Sequence, residues 1–91
     1  MLYKRMEFIE WRRFENESLL LNLQTGKYFR INEVGSLIWE KLDGANEAED
    51  IIKIIVKHFA VSEATARQDY NKFTEQLLND NLISMSDPGQ P

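Results

Sequence analysis

Side chains that commonly perform catalysis are sparse in this sequence of 91 residues. There is no cysteine, which excludes disulfides, thiolate metal sites and cysteine nucleophiles. The one histidine, His58, has no second metal ligand at a usable spacing, and near the end of a predicted helix it is expected to complement the helix dipole or to be exposed to solvent. Glu47, Glu49 and Asp50 begin that helix without a nucleophile, a phosphate loop or a histidine beside them. The residues predict no catalytic site, no metal site and no cofactor.

The chemistry that the sequence does offer is main-chain hydrogen bonding in residues 19–32. Apolar residues flank Gln24-Thr25-Gly26, in which the glycine supplies the positive φ angle that a short hairpin loop requires. This pattern predicts two antiparallel strands followed directly by a helix with Asn32 as its N-cap. The edge strand of such a sheet has unpaired N–H and C=O groups that an extended peptide can pair with. We therefore predict a peptide-binding surface at this hairpin.

An antiparallel meander is predicted to position that edge. Its strands cover residues 6–13, 18–23 and 27–31. Alternation in the second strand places the leucines at 19, 21 and 23 on one face and Leu20, with Asn22, on the other. In the third strand, Phe29 and Ile31 are predicted to face the core, and Tyr28 and Arg30 to face outward.

Helical periodicity follows the meander. The predicted helices cover residues 33–42, which Asp43-Gly44 ends, 47–59, and 63–80. Ser62 is the predicted N-cap of the third helix and Asn81 its left-handed terminator. Residues 82–85 are predicted to form an extended wing, and residues 86–91 a disordered tail. This order predicts an α+β fold, a winged helix-turn-helix with an N-terminal three-stranded antiparallel sheet, as one domain over residues 1–85.

Charge and hydropathy narrow the range of partners. The net charge of −4 disfavours binding to phosphate backbones and to anionic membranes. No apolar run approaches the roughly 18 residues that a membrane helix requires. We therefore expect a cytoplasmic protein without nucleic-acid or membrane partners, present as a monomer or a weak dimer.

Short motifs with a specific order and spacing occur between residues 21 and 83, within a family similarity that covers roughly residues 6–85. They are Leu21-Asn22-Leu23, Thr25-Gly26, Tyr28-Phe29, Ile31-Asn32, Gly35, Ile38-Trp39, Leu42-Asp43-Gly44, Asp69-Tyr70, Phe73 and Leu82-Ile83. Together they resemble the PqqD-like family, named after coenzyme PQQ synthesis protein D and the prototype of the recognition element for precursors of ribosomally made, modified peptides (RiPPs). Glu47 and Asn81 replace the family's usual threonine and glycine with residues that can serve as caps.

The resemblance implies a non-catalytic peptide chaperone of natural product biosynthesis. Such a protein binds the leader segment of a precursor peptide by β-strand addition and presents it to a modifying enzyme, such as a radical SAM maturase or a leader peptidase. In the family the peptide lies in the cleft between the third strand and the third helix. The residues do not select among the PQQ, lasso peptide and other pathways.

The expected peptide-binding residues belong to the third strand and to one flank of the third helix. The strand contributes Lys27, Tyr28, Phe29, Arg30 and Ile31. A helical wheel offers two flanks, Arg67, Asn71, Thr74 and Leu78 or Thr65, Asp69 and Gln76, which the sequence does not distinguish. We favour the first flank, with Tyr70 at its boundary and Arg67 available to pair with an acidic leader residue.

Two other classes of function fit the same order of elements. A DNA-binding winged helix is disfavoured because the third helix and its end carry more acidic than basic residues, which are Glu63, Asp69, Glu75 and Asp80 against Arg67 and Lys72. The remaining class is an adaptor that docks on an enzyme through its helices without contacting a peptide.

Overall fold

The computed structural model describes residues 2–86, which form two three-stranded antiparallel sheets and three helices. In chain order the elements are β1 (Leu2–Arg5), β2 (Ile9–Phe14), β3 (Glu17–Asn22), β4 (Tyr28–Ile31), α1 (Glu33–Lys41), β5 (Asp43–Glu47), α2 (Ala48–Phe59), α3 (Glu63–Asn79) and β6 (Ile83–Ser86). The predicted α+β winged helix-turn-helix with its N-terminal meander is confirmed. The predicted tail lies outside the described residues, except for Ser86, which ends β6.

The meander has the strand order β2-β3-β4 and closes through the turn that the sequence predicted. The side-chain carbonyl of Asn22 accepts hydrogen bonds from the backbone N–H groups of Gln24 at 2.9 Å and Thr25 at 3.2 Å. Gly26 has a φ angle of +77°, a conformation that costs glycine little. The turn is therefore determined by residues within the loop itself.

The two faces of the meander differ in burial as alternation predicted. Leu20 is fully buried, and it lies opposite Trp11 on β2 and Phe29 on β4, so these three residues share the core face. Tyr28 is 66% exposed and lies on the outer face. The leucines at 19 and 21 belong to that outer face too, which leaves Leu20 as the leucine of β3 that enters the core.

The second sheet, with the order β5-β1-β6, was not predicted. β1 pairs with both neighbours, and the N–H of Arg5 donates to the carbonyl of Leu42 at 3.0 Å. The predicted first strand therefore starts too early, because the chain turns from one sheet to the other between Arg5 and Ile9. Likewise, Asp43-Gly44 lies in β5 and does not simply terminate α1. The sequences of β1 and β5 show little apolar alternation, so a local pattern does not mark them as strands. Their pairing with strands that are distant in the sequence holds them extended.

The core lies between the helices and the inner faces of the sheets. Trp39 is fully buried, with the Trp11 ring 6.3 Å from its own in an edge-on arrangement and the Arg5 guanidinium 5.9 Å from its centroid. The remaining helical core residues are Ile38, Ile51, Ile52, Ile55, Ala66, Tyr70 and Leu77. No helix in residues 2–86 has the length and apolarity that crossing a membrane demands.

The N-caps of α1 and α3 and the left-handed residue after α3 agree with the sequence-based predictions. The Asn32 side chain accepts from the N–H of Gly35 at 2.8 Å, and the Ser62 hydroxyl accepts from the N–H of Thr65 at 3.1 Å. Asn81 has a left-handed φ angle of 57° just after α3. These caps fix where α1 and α3 begin.

Candidate functional site

β4 is an edge strand whose second side is unpaired within residues 2–86. The N–H of Asn22 donates to the carbonyl of Lys27 at 2.9 Å, so these two residues form a hydrogen-bonded pair. Because hydrogen-bonded pairs alternate along an antiparallel ladder, Phe29 and Ile31 also bond to β3. The N–H and C=O groups of Tyr28 and Arg30 consequently point to the open side of β4.

A cleft runs between this open edge and α3. It consists of two adjoining cavities of about 260 and 370 Å³ that share Asn32, Phe73 and Gln76 in their walls. The first cavity is also lined by Val34, Gly35, Ile38, Asp69 and Lys72. The second is also lined by Tyr28, Phe29, Arg30, Ile31, Leu77, Asp80 and Leu82. Unpaired main-chain groups and a partly apolar groove thus lie side by side.

Close packing between the start of α1 and α3 shapes the middle of the cleft. A Cβ atom on Gly35 would lie 3.0 Å from Cε1 and 3.1 Å from Cζ of the Phe73 ring, and 3.2 Å from Oδ1 of Asn32. The absence of a side chain at residue 35 therefore allows the half-buried Phe73 ring to lie against α1. Asn32 is held in place because its side chain caps the same helix.

The predicted strand residues lie at the cleft, with one exception. Tyr28, Phe29, Arg30 and Ile31 line the larger cavity. Lys27 precedes β4 and takes part in the ladder through its carbonyl, but its side chain is not in the cavity wall. The Arg30 guanidinium lies on the outer face, where Nε and Nη2 donate to Glu17 at 2.7 and 3.3 Å. The hydrogen bond from Arg30 lowers the pKa of the Glu17 carboxyl.

The flank of α3 along the cleft is the one with Asp69 and Gln76, not the flank that we favoured from the sequence. Arg67 reaches α2 instead, where Nη1 and Nη2 donate to Glu49 at 2.7 and 2.9 Å, and Nη2 also donates to Glu63 at 3.0 Å. Both hydrogen bonds raise the pKa of the Arg67 guanidinium, and the one to Glu49 contributes more than the one to Glu63. Arg67 therefore fastens the start of α3 to α2.

The other residues of the favoured flank also lie away from the cavity walls. Thr74 is buried and its hydroxyl donates to the carbonyl of Tyr70 at 2.9 Å within α3. Tyr70 is only 3% exposed, and burial raises the pKa of its phenol to about 12. Leu78 packs at the margin of the core, and Asn71 is exposed outside the cleft. Their positions follow from the rotation of α3 about its axis, which the helical wheel alone does not fix.

Several residues that line the cleft were missed as site residues by the sequence analysis. They are Asn32, Val34, Gly35, Ile38, Lys72, Phe73, Leu77, Asp80 and Leu82. Phe73 was predicted to belong to the core stripe of α3, and it does pack against the core, yet one side of its ring also faces the cleft. The available signal was the pair Asn32 and Gly35, since an N-cap and a glycine so close together mark a helix start that a neighbour can approach.

Comparisons with known proteins identify relatives of this sequence and of this fold. The family model described as coenzyme PQQ synthesis protein D (PqqD) matches residues 17–83. The structure of TbiB1 in complex with the TbiA(beta) leader peptide has 32% sequence identity to this chain, covers 92% of it and 99% of the TbiB1 chain, and superposes with a TM-score of 0.82. The lasso peptide synthetase B1 complexed with the leader peptide has 16% identity, covers 93% of this chain and 100% of its own, and has a TM-score of 0.83, a likeness of fold. No curated protein matches the sequence.

Proposed function

The chain belongs to the coenzyme PQQ synthesis protein D (PqqD) family, and we therefore propose that it binds the leader segment of a ribosomally synthesised precursor peptide. The leader adds as an antiparallel strand to β4 and lies in the cleft beside α3. The protein itself is non-catalytic and presents the bound precursor to a modifying enzyme, such as a radical SAM maturase or a leader peptidase.

The observation that carries this proposal is the open edge of β4 beside a groove. Each main-chain hydrogen bond to Tyr28 or Arg30 contributes only about 0.5–1.5 kcal/mol net, so the edge sets the direction and register of the guest more than its affinity. Specificity then comes from alternate guest side chains that point toward α3. The relative with 32% identity was solved with a leader peptide, which supports the same class of ligand here.

The proposed contact surface combines β4 with the cleft-lining flank of α3. On the strand it comprises residues 28–31, and on the helix Asp69, Lys72, Phe73 and Gln76, with Asp80 at the helix end. Arg67 is not part of it, because Glu49 and Glu63 already bind the guanidinium. The same ion pairs weaken a DNA-binding role, since they occupy one of the two basic side chains of α3.

An NMR titration tests the proposal directly. The probe is a synthetic leader peptide of the precursor encoded beside this gene, added to the 15N-labelled full chain. Amide shifts are expected in residues 28–32 and in Asp69, Phe73 and Gln76, with a dissociation constant in the micromolar range or tighter. Residues around the Arg67–Glu49 ion pair, on the opposite flank of α3, are the internal reference. Shifts centred on that reference, or no shifts at saturating peptide, would contradict strand addition at β4.

A further inference from the structure

The charged side chains that line the cleft are unevenly balanced. Asp69 and Lys72 are three residues apart on α3, so they lie on neighbouring turns and offset each other. Asp80 is half-buried at the other end of the cleft, and within residues 2–86 no ion pair engages its carboxylate. The basic residue that lines the same cavity is Arg30, whose guanidinium is bound by Glu17 on the outer face. The Asp80 end of the cleft is therefore negatively charged.

The positions of the two cavities fix the direction of a guest strand relative to this charge. Asn32, just after β4, lines both cavities of the cleft, including the one with Asp69 and Lys72. Tyr28, at the start of β4, lines the cavity with Asp80 and not the one with Asp69 and Lys72. An antiparallel guest runs opposite to β4. Its N-terminal part therefore lies near Phe73 and the start of α1, and its C-terminal part approaches Asp80.

Helix and strand geometry set the spacing between the two guest positions. Phe73 and Asp80 are seven residues apart, which corresponds to about 10 Å along a helix and about three residues along a strand. Guest side chains that face α3 occur at every second residue. One guest residue lies over Phe73. A lysine or arginine two or four residues later in the guest has a side chain long enough to reach Asp80.

From these observations we infer that the cleft selects leader peptides with an apolar residue over Phe73 and a lysine or arginine two or four residues later, paired with Asp80. This inference rests on the proposed function and extends it to the class of peptide. It also reverses the charge expected from the sequence, where Arg67 suggested an acidic leader residue. Arg67 does not line the cleft, and the larger cavity has the carboxylate of Asp80 in its wall, without an ion pair to any of residues 2–86.

A charge-exchange experiment tests the inference. In the same leader peptide, each residue that faces α3 is replaced in turn by lysine, glutamine and glutamate, and dissociation constants are measured by calorimetry. At one position, lysine is expected to bind about two- to fivefold more tightly than glutamine, with glutamate the weakest, as for a partly exposed ion pair. The preference is expected to disappear with Asp80→Asn, to reverse with Asp80→Lys, and to weaken at high salt.

Glu75→Gln is the matched control, because it removes the same charge from an exposed residue of α3 that does not line the cleft. Asp80→Asn keeps the side-chain shape at the helix end, where the backbone N–H of residue 80 bonds to the carbonyls of Gln76 and Leu78. If the parent peptide binds and no position shows a lysine preference that depends on Asp80, the inference is wrong and the proposed function stands. If the parent peptide does not bind at all, the proposed function fails first.

Discussion

Among single residues, Gly35 and Phe73 form the contact on which the shape of the cleft depends. A methyl group at residue 35 would approach two ring carbons of Phe73 to 3.0 and 3.1 Å, closer than ordinary van der Waals contact. The ring is a side chain that can rotate, so it has a way to yield by moving into the cleft. A substitution at Gly35 is thus expected to affect the affinity for the ligand more than the stability of the fold.

Gly35→Ala is predicted to weaken leader binding while leaving the protein folded. Alanine favours a helix over glycine by roughly 0.5–1 kcal/mol, which offsets part of the cost of the crowded contact. We therefore expect the free energy of unfolding to change by less than about 1 kcal/mol, whereas the dissociation constant rises several-fold because the displaced ring occupies peptide space. Thermal unfolding and calorimetry measure the two effects.

A second substitution separates crowding from other effects of Gly35→Ala. Phe73→Leu shortens the side chain that the new methyl group meets. In the combined variant, the penalty of the alanine on binding is expected to be smaller than in the wild-type background, as in a double-mutant cycle for residues in contact. Equal penalties in both backgrounds would show that the ring of Phe73 is not the affected group.

Among the secondary-structure elements, β4 is the one in which loss of a backbone N–H is expected to have different effects at neighbouring residues. Its residues alternate between bonding to β3 and facing the open side, as the Asn22–Lys27 bond establishes. Two neighbouring positions, Tyr28 and Phe29, therefore have different roles although both belong to the same short strand. Only the first offers its N–H to a guest.

Tyr28→Pro is predicted to weaken leader binding without unfolding the protein, because it removes a donor on the open side of an edge strand. Loss of one main-chain hydrogen bond of about 0.5–1.5 kcal/mol corresponds to a roughly two- to twelvefold rise in the dissociation constant. Calorimetry on the folded variants measures this effect. Tyr28→Thr is the control, since it removes the ring and keeps the N–H.

Phe29→Pro is expected to behave differently. It removes an N–H that bonds to β3 opposite the fully buried Leu20, so the main consequence is loss of stability. Denaturant unfolding distinguishes the two proline variants. Similar destabilisation by both would contradict the hydrogen-bond register assigned to β4.

For the molecule as a whole, the buried phenol of Tyr70 makes the free energy of unfolding depend on pH in the alkaline range. The phenol lies in the core beneath α3, and burial, with smaller contributions from Tyr3 and Glu47, raises its pKa to about 12. In the unfolded chain the pKa is about 10. Above pH 10 the unfolded state loses this proton while the folded state keeps it, so the contribution to stability is complete below pH 10 and is lost as the pH rises to 12.

Tyr70→Phe is therefore predicted to lack part of the alkaline loss of stability. The free energy of unfolding of the wild type, relative to this variant, should fall by on the order of 2 kcal/mol between pH 9 and pH 12. Denaturant unfolding at both pH values measures the difference, in which the titration of lysines and arginines cancels. Tyr28→Phe, at a ring that is 66% exposed, is the matched control. A constant difference for Tyr70→Phe would refute the raised pKa.

Features that arise from neighbouring residues could be predicted from the sequence. The turn at Gly26, the caps at Asn32 and Ser62, the left-handed Asn81 and the alternation of β4 all follow from local hydrogen bonds and from side-chain periodicity. The family resemblance rested on the same local motifs. These parts of the fold were therefore predicted from the sequence, and residues 28–31 of the predicted site lie along the cleft.

Features that depend on residues far apart in the sequence became visible in the folded chain alone. β1 and β5 are strands because they pair with each other across about 40 residues of sequence, and β1 also pairs with β6 about 80 residues away, which no local pattern indicates. Which flank of α3 faces β4 depends on the rotation of the helix. That rotation accompanies the packing of Phe73 against Gly35 and the binding of Arg67 by Glu49 on α2. A helical wheel gives the angles between residues of one helix but not the direction of its neighbours. It therefore could not show that Arg67 lies outside the cleft and that Asp80 lies in its wall.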